Sequence, residues 1–313
     1  MFRFTILVSI AFCFLFDTTA NSQQHRLLLR DEGISKLSYV DLDKPEKNWY
    51  VSVPAGRDIQ LVGKGRVLIG TGTGYEERLI ATGEKVAEIT SFNGTIAARR
   101  LKNGNTLLAG LNWLDKKGIV LLETDDAGKI IQSINYPDYP YLRLVREISN
   151  GNFLITIDTA VFEGTPKGKI VWKARIAGPQ HPHCWQALRL SNGNTIVSGG
   201  YAANIQVFDK TGKLIDTIGG PTSVHPNFFG GYQILKNGNF LVTNWQGHGE
   251  GHGASGVQLL EYSPKGKLIW SWNQDPAKYS SLQGVIALDG LDTDKLYIED
   301  SNGKLSPVSP GNN

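Results

Sequence analysis

Short apolar runs alternate with polar turns along most of this chain, and no segment shows the periodicity of an amphipathic helix. Asn-Gly-Asn triplets occur at residues 103–105, 150–152, 192–194 and 237–239, and an apolar run follows each of them. A second type of turn ends in Gly-Lys and also precedes an apolar segment, as in DDAGKIIQSI and SPKGKLIWSW. Asn-Gly favours a tight two-residue turn that needs positive φ angles. The pattern therefore predicts a succession of β-hairpins.

The hairpins recur with a regular period. Successive triplets are 47, 42 and 45 residues apart, and degenerate copies at 61–70 and 285–300 bring the number of units to six. A repeat of this length with four short strands is typical of a propeller blade. We predict an all-β fold, a six-bladed β-propeller of four-stranded antiparallel blades. The last unit is short of strands, so an N-terminal hairpin at 36–53 is expected to join the C-terminal blade and close the ring.

The N-terminus has the pattern of a secretory signal peptide: Arg3, an apolar run over 4–16, and small residues up to Ala20. This run is too short to span a bilayer, so no membrane anchor is expected. We expect a secreted or periplasmic protein, organised as a signal peptide (1–20), a flexible N-terminal segment (21–33), a single propeller domain (34–308) and a C-terminal tail (309–313).

Composition and charge narrow the range of partners. The formal net charge of +3 is spread along the chain without a basic tract, so nucleic acid is not an expected partner. Cleavage of the signal peptide would leave Cys184 as the remaining cysteine, which excludes a disulfide within the chain. The mature protein is expected to be a monomer held together by packing alone.

The repeat consensus, L-x-N-G-N-x-L-V followed by D-x-x-G-K-x-I-W, resembles the PQQ-like propeller repeats and the repeats of bacterial arylsulfotransferase-type six-bladed propellers. The resemblance covers nearly the whole mature chain and concerns architecture. For activity, the arylsulfotransferase-type propellers imply a histidine that transiently accepts a sulfuryl group while an arginine stabilises charge. His183 and Arg143 are the nearest candidates for these catalytic roles.

The antiparallel order of strands assigns the loops to two faces. With the strands of a blade called A to D, the Asn-Gly-Asn turns join A to B and the Gly-Lys turns join C to D, which places both on one face, the bottom face. The B–C and D–A connections then lie on the opposite, top face. Every propeller histidine and three tryptophans fall on or beside top-face connections: His181, His183, His225, His248, His252, Trp113, Trp185 and Trp245.

A glycine-rich loop at 244–256 contains His248, Glu250 and His252. Imidazole and carboxylate groups suit Zn, Mn and similar ions, so a divalent metal is the candidate cofactor of this loop. The alternative is a solvated loop whose histidines are incidental. His181 and His183 alternate along an extended segment, so both can point the same way while Cys184 points elsewhere and is buried.

The mouth of the channel is predicted from positions seven residues before each triplet: Ile96, Arg143, Trp185, Gly230 and Gln283. Arg143, with Arg146 further in, could hold an anionic group, and a structural ion pair is the alternative. Several aromatic rings could stack on a sugar or an aromatic ligand: Tyr139, Tyr141, Trp185, Phe228, Phe229 and Trp245.

Three functional hypotheses follow. The first is a top-face pocket that binds a small polar or anionic ligand, such as a carbohydrate, through His181, Trp185, His225, Trp245 and Gln283. The second is a periplasmic enzyme, either arylsulfotransferase-like or a metal-assisted lyase or hydrolase that uses the same histidines. The third is a scaffold for protein partners.

Overall fold

The computed structural model describes residues 25–221 and 224–308. It confirms the six-bladed β-propeller of four-stranded antiparallel sheets. Strand A of each blade is the innermost and strand D the outermost. No helix in the described part of the chain has the length and hydrophobicity to cross a membrane. The expected signal peptide and C-terminal tail lie outside the described residues.

Five blades are formed by consecutive strands. Blade 6, which closes the ring, takes its outer three strands from the N-terminus: β1 (Arg26–Asp31), β2 (Lys36–Asp41) and β3 (Trp49–Ser52). Blade 1 contains β4 (Ile59–Gly63), β5 (Arg66–Thr71), β6 (Gly74–Leu79) and β7 (Lys85–Ile89). Blade 2 contains β8 (Thr95–Arg100), β9 (Thr106–Leu111), β10 (Ile119–Thr124) and β11 (Ile130–Tyr136). Blade 3 contains β12 (Val145–Glu147), β13 (Phe153–Thr156), β14 (Ala160–Gly164) and β15 (Ile170–Arg175).

The remaining strands complete the ring. Blade 4 contains β16 (Ala187–Arg189), β17 (Thr195–Ser198), β18 (Ile205–Phe208) and β19 (Leu214–Ile218). Blade 5 contains β20 (Phe229–Ile234), β21 (Phe240–Asn244), β22 (Leu259–Tyr262) and β23 (Leu268–Trp272). The innermost strand of blade 6 is β24 (Leu282–Ala287), and a separate hairpin follows it, β25 (Tyr297–Glu299) and β26 (Leu305–Pro307).

Ring closure follows the predicted scheme with two corrections. Strand β24 pairs with β1, so the two ends of the chain share blade 6. The expectation of a flexible segment over 21–33 is wrong for residues 26–31, which form β1, and the propeller therefore begins before residue 34. The hairpin of β25 and β26 does not belong to a blade; it lies on the bottom face, where Ser191 N–H donates to Ser301 O (2.7 Å).

The Asn-Gly-Asn turns are three-residue loops rather than the predicted two-residue turns. In the first of them, Leu101 N–H donates to Asn105 O (2.8 Å), and only Gly104 has a positive φ, of 90°. The side chain of Asn103 accepts the backbone N–H of Asn105 (3.0 Å), and the Asn105 amide donates to the carboxylate of Glu123 on strand C (2.6 Å). The triplet therefore closes the hairpin and also ties it to the neighbouring strand.

The lower part of the channel is filled by an ion network. Arg146 donates to both oxygens of Asp58 (2.9 Å each) and lies near Glu299 of the C-terminal hairpin (3.4 Å). Arg99 bonds to the same two carboxylates. Buried charges of this kind are stable only when they are paired, so the network links the hairpin to blades 1 to 3. Arg146 is thus a structural ion-pair residue.

Candidate functional site

The top face of the channel opens into a cavity of about 340 Å³, here called the top-face cavity. Its walls come from connections and inner strands of all six blades. The side chains that carry its chemistry are Glu32, Arg57, Arg143, His183, Trp185, Tyr201, Phe228, Trp245, His248 and Gln283. Of the five positions expected at the channel mouth, Ile96, Arg143, Trp185 and Gln283 line this cavity. Gly230 is instead packed against Thr243 and Gln283.

Two arginines make one part of the cavity cationic. The guanidinium carbons of Arg57 and Arg143 lie 5.2 and 5.4 Å from the ring centre of Trp185. Within the described part of the chain, neither guanidinium has a carboxylate oxygen within 4.0 Å. Burial, reinforced by the nearby charge of Arg143, lowers the pKa of Arg57 to about 10. The cavity therefore contains two neighbouring positive charges without a paired anion.

His183 extends this cationic wall as a neutral side chain. Its Nδ1 lies 2.9 Å from Nη2 of Arg143, which can only donate, and this contact assigns Nδ1 as the acceptor and the ring proton to Nε2. The Tyr141 hydroxyl lies 3.2 Å from the same nitrogen and itself accepts from Arg143 (2.6 Å). Burial and the charge of Arg143 lower the pKa of His183, while Asp158 opposes the shift. The neutral imidazole is therefore favoured, and because its Nδ1 already accepts from Arg143, it becomes available as a base only when Arg143 turns to a bound anion.

Asp158 lies behind both histidines of the HPHC segment. His181 Nδ1 is 2.7 Å from Oδ2 of Asp158, and His183 Nδ1 is 2.8 Å from Oδ1, although Oδ1 is not aligned for a hydrogen bond. The two imidazoles are stacked with ring centres 6.3 Å apart. They share one carboxylate, with His181 62% exposed at the rim and His183 in the cavity wall. The interpretation that both point the same way agrees with this geometry.

Cys184 points away from the histidines, as predicted. Its thiol is fully buried, and its single S–H can donate to the carbonyl oxygen of Ile157 (3.0 Å) or of Ala160 (3.2 Å). Burial raises the pKa of this thiol to about 12. Since the thiolate is the nucleophilic form, Cys184 is a packing residue.

A strained backbone holds His183 in position. Its φ of 54° lies in the left-handed region, which few residues other than glycine adopt. Gly200 has a φ of 58°, and a Cβ at this position would overlap the carbonyl oxygen of Pro182. Tyr201 N–H also donates to Pro182 O (2.8 Å). The close approach of the 199–203 loop therefore fixes the backbone on which His183 stands.

Aromatic rings form another wall of the cavity. Phe228 lies between Tyr201 (ring centres 4.9 Å apart) and Trp245 (5.3 Å), with edge-to-face geometry in both pairs. Of the other aromatic candidates, Phe229 is fully buried between blades and Tyr139 packs on Phe162, so neither lines the cavity.

A carboxylate is held at the edge of the aromatic wall. Glu32, in the turn between β1 and β2, accepts the indole N–H of Trp245 (2.9 Å) and lies 2.7 Å from Nδ1 of His248. Its backbone N–H donates to Ser281 O (2.9 Å). The side chain of Glu32 is 28% exposed and borders the cavity. This position is therefore fixed by contacts from three parts of the chain.

The metal site expected at His248, Glu250 and His252 is not formed in the described part of the chain, where no three His, Cys, Asp or Glu side chains converge as ligands. His248 is 81% exposed and turns toward Glu32, while His252 packs on Gly247 in a short 3₁₀ turn. His225 is exposed and lies outside the cavity. Gly249 and Gly251, on either side of Glu250, have positive φ angles of 82° and 87°, which glycine readily adopts.

Sequence reasoning missed Glu32, Arg57, Asp158 and Tyr201. All four lie in B–C or D–A connections, which the alternation of strands assigns to the top face. The rule that located the histidines would have located Arg57, Asp158 and Tyr201 too, had it been applied to charged and aromatic side chains, whereas Glu32 follows β1, a strand that the repeat pattern did not predict.

No family model matches the sequence, and no curated protein matches it. Solved structures do match. A protein of unknown function from Bacteroides caccae is 21% identical with a TM-score of 0.67, over 84% of this chain and 98% of that one. Virginiamycin B lyase from Staphylococcus aureus is 12% identical with a TM-score of 0.53, over 90% and 93%. The calcium-binding protein regucalcin from Agrobacterium tumefaciens is 13% identical with a TM-score of 0.53, over 77% and 87%.

At these identities the likeness concerns the fold alone. The chain is a six-bladed β-propeller, and its neighbours within this fold include proteins named as a lyase and as a calcium-binding protein. Since one fold hosts many chemistries, the function has to be argued from the cavity.

Proposed function

We propose that this protein is an exported β-propeller that binds a small anionic ligand in its top-face cavity. The observation that carries the proposal is the pair of guanidinium groups of Arg57 and Arg143 beside Trp185, with no carboxylate within 4.0 Å among the described residues. Two neighbouring positive charges that are partly removed from water destabilise each other, and a bound anion offsets that cost.

The size of the cavity favours a small molecule. Its volume of about 340 Å³ is near the lower end of the range for small-molecule pockets, which is roughly 300–1,000 Å³. Trp185, Trp245 and Gln283 would contact the body of the ligand. His181 lies at the rim, and its role in this proposal is to fix Asp158.

The test is binding of small carboxylates and sulfate esters, measured by calorimetry and by the shift in melting temperature. Arg143→Gln is expected to weaken binding at least about 10-fold, since a charge-assisted hydrogen bond contributes roughly 1.5–3 kcal/mol. Arg175→Gln, an identical change on the exposed face of β15, is the matched control. Anion binding that is absent, or that neither Arg143→Gln nor Arg57→Gln weakens, would overturn the proposal.

Acid–base catalysis on the bound anion is the second candidate function. The observation that favours it is His183, a neutral imidazole held by a left-handed backbone next to the arginine pair. The test is product analysis by mass spectrometry after incubation with each anion that binds. Turnover that disappears in His183→Gln while binding persists would support catalysis, and unchanged ligands with the wild-type protein would exclude it for those ligands.

A further inference from the structure

Glu32 gives the top-face cavity a second charge of opposite sign. Its carboxylate lines the same cavity as Arg57 and Arg143 but is more than 4.0 Å from both guanidinium groups. Glu32 therefore does not serve as their ion-pair partner. A ligand in the cavity meets cations at one part of the wall and a carboxylate at another.

The carboxylate of Glu32 has capacity for further hydrogen bonds. Its Oε2 accepts the Trp245 indole N–H and its Oε1 lies against His248 Nδ1, one contact for each oxygen within the described residues. A carboxylate oxygen can accept about two hydrogen bonds. Because a carboxylate only accepts, the part of the ligand that reaches Glu32 must carry donors such as hydroxyl groups.

The wall next to Glu32 suits a ring with apolar C–H faces. Trp245 and Phe228 are buried apart from the surface that they present to the cavity, while Tyr201 is 42% exposed beside them. Aromatic rings of this kind stack on the C–H faces of sugars as well as on aromatic ligands. The donors demanded by Glu32 favour the sugar.

We propose, building on the anion-binding function above, that the ligand is a sugar acid. A hexuronate ring would place its carboxylate between Arg57 and Arg143, its C–H face against Phe228 and Trp245, and its hydroxyl groups toward Glu32. A neutral sugar would leave the arginine pair without an anion. An aromatic carboxylate would bring no donor to Glu32 and would be repelled by it.

The test compares three probes, D-glucuronate, benzoate and D-glucose, by calorimetry with the wild-type protein and with Glu32→Gln. The glutamine keeps an acceptor for the Trp245 indole while the negative charge is lost. We expect glucuronate to bind most tightly and Glu32→Gln to weaken it at least about 10-fold. Benzoate should bind Glu32→Gln as well as or better than the wild type, because a repelling charge is removed. Glu88→Gln, an exposed carboxylate on β7, is the control.

The contrast between glucuronate and benzoate makes the result decisive. If Glu32→Gln does not weaken glucuronate, if it weakens benzoate by the same factor, or if benzoate binds the wild type more tightly than glucuronate, the sugar-acid inference is wrong while anion binding stands. If neither Arg143→Gln nor Arg57→Gln weakens the binding of any probe, the proposed function itself fails. A hexuronate presents the same groups as a free monosaccharide and as the terminal sugar of a polysaccharide. A parallel titration with an oligouronide distinguishes these two ligands.

Discussion

His25 joins the two ends of the chain, and its titration is expected to make the stability of the propeller depend on pH. It immediately precedes β1 and is 3% exposed. Its Nδ1 lies 2.7 Å from Oδ2 of Asp289, which follows β24, and its Nε2 lies 3.4 Å from Oε2 of Glu261 on β22. The ring also meets Trp270 edge-on at 5.4 Å. The protonated imidazole thus connects three segments that are far apart in sequence.

The sign and size of the effect follow from the pKa of His25. Burial is the largest single influence and lowers it, but the hydrogen bonds and charges of Asp289 and Glu261 together outweigh burial and raise the pKa from 6.5 to about 9. Since the folded state holds the proton more tightly, the added stability is fully present below about pH 6.5 and is lost as pH rises through about 9. A shift of this size corresponds to about 3 kcal/mol.

The assay is chemical denaturation of the wild type and His25→Gln at several values between about pH 6 and pH 10. The free energy of unfolding of the wild type should exceed that of the variant most at the acidic end, and the difference should shrink by about 3 kcal/mol toward the alkaline end. His225→Gln, at an exposed position, controls for the loss of an imidazole. A difference between wild type and His25→Gln that stays constant over this range would refute the linkage.

Two further predictions concern the backbone and the buried charges. Gly200→Ala should lower stability by several kcal/mol and abolish ligand binding, because a Cβ there collides with the HPHC segment. Gly249 also has a positive φ, but no atom lies within 4 Å of an added Cβ, so Gly249→Ala should lower the melting temperature less. Glu299→Gln should cost about 3 kcal/mol in a urea titration, since it leaves buried arginines short of a counter-charge, whereas Glu88→Gln at the surface should change little. If Gly200→Ala and Gly249→Ala lower stability equally, or if Glu299→Gln and Glu88→Gln do, the explanation given for that pair is wrong.

The architecture could be predicted because each blade repeats the same local chemistry. Every Asn-Gly-Asn triplet closes a hairpin with its own side chains, so the signal does not depend on distant contacts. Strand β1 was missed because its sequence, RLLLRD, has no turn motif beside it and follows the expected signal peptide. Its leucines are completely buried, which is the continuous apolar pattern of an inner strand. The apolar pattern of β1 is therefore present in the sequence, although no repeat motif marks it.

From the sequence, the candidate site could be assigned to the top face of the propeller but not to the particular residues that line the cavity. Alternation of strands determines on which face a connection lies. It places His183, His225 and His252 on the top face, yet of these three only His183 borders the cavity. Whether a side chain reaches the cavity depends on the path of the loop, which for His183 is set by left-handed backbone and by contact with a loop of blade 4. Such contacts join segments of the fold that no repeat pattern relates. Residue type and face therefore identify candidate site residues, and the conformation of the loops determines which of them line the cavity. The residues that line the cavity are the ones to test by mutation.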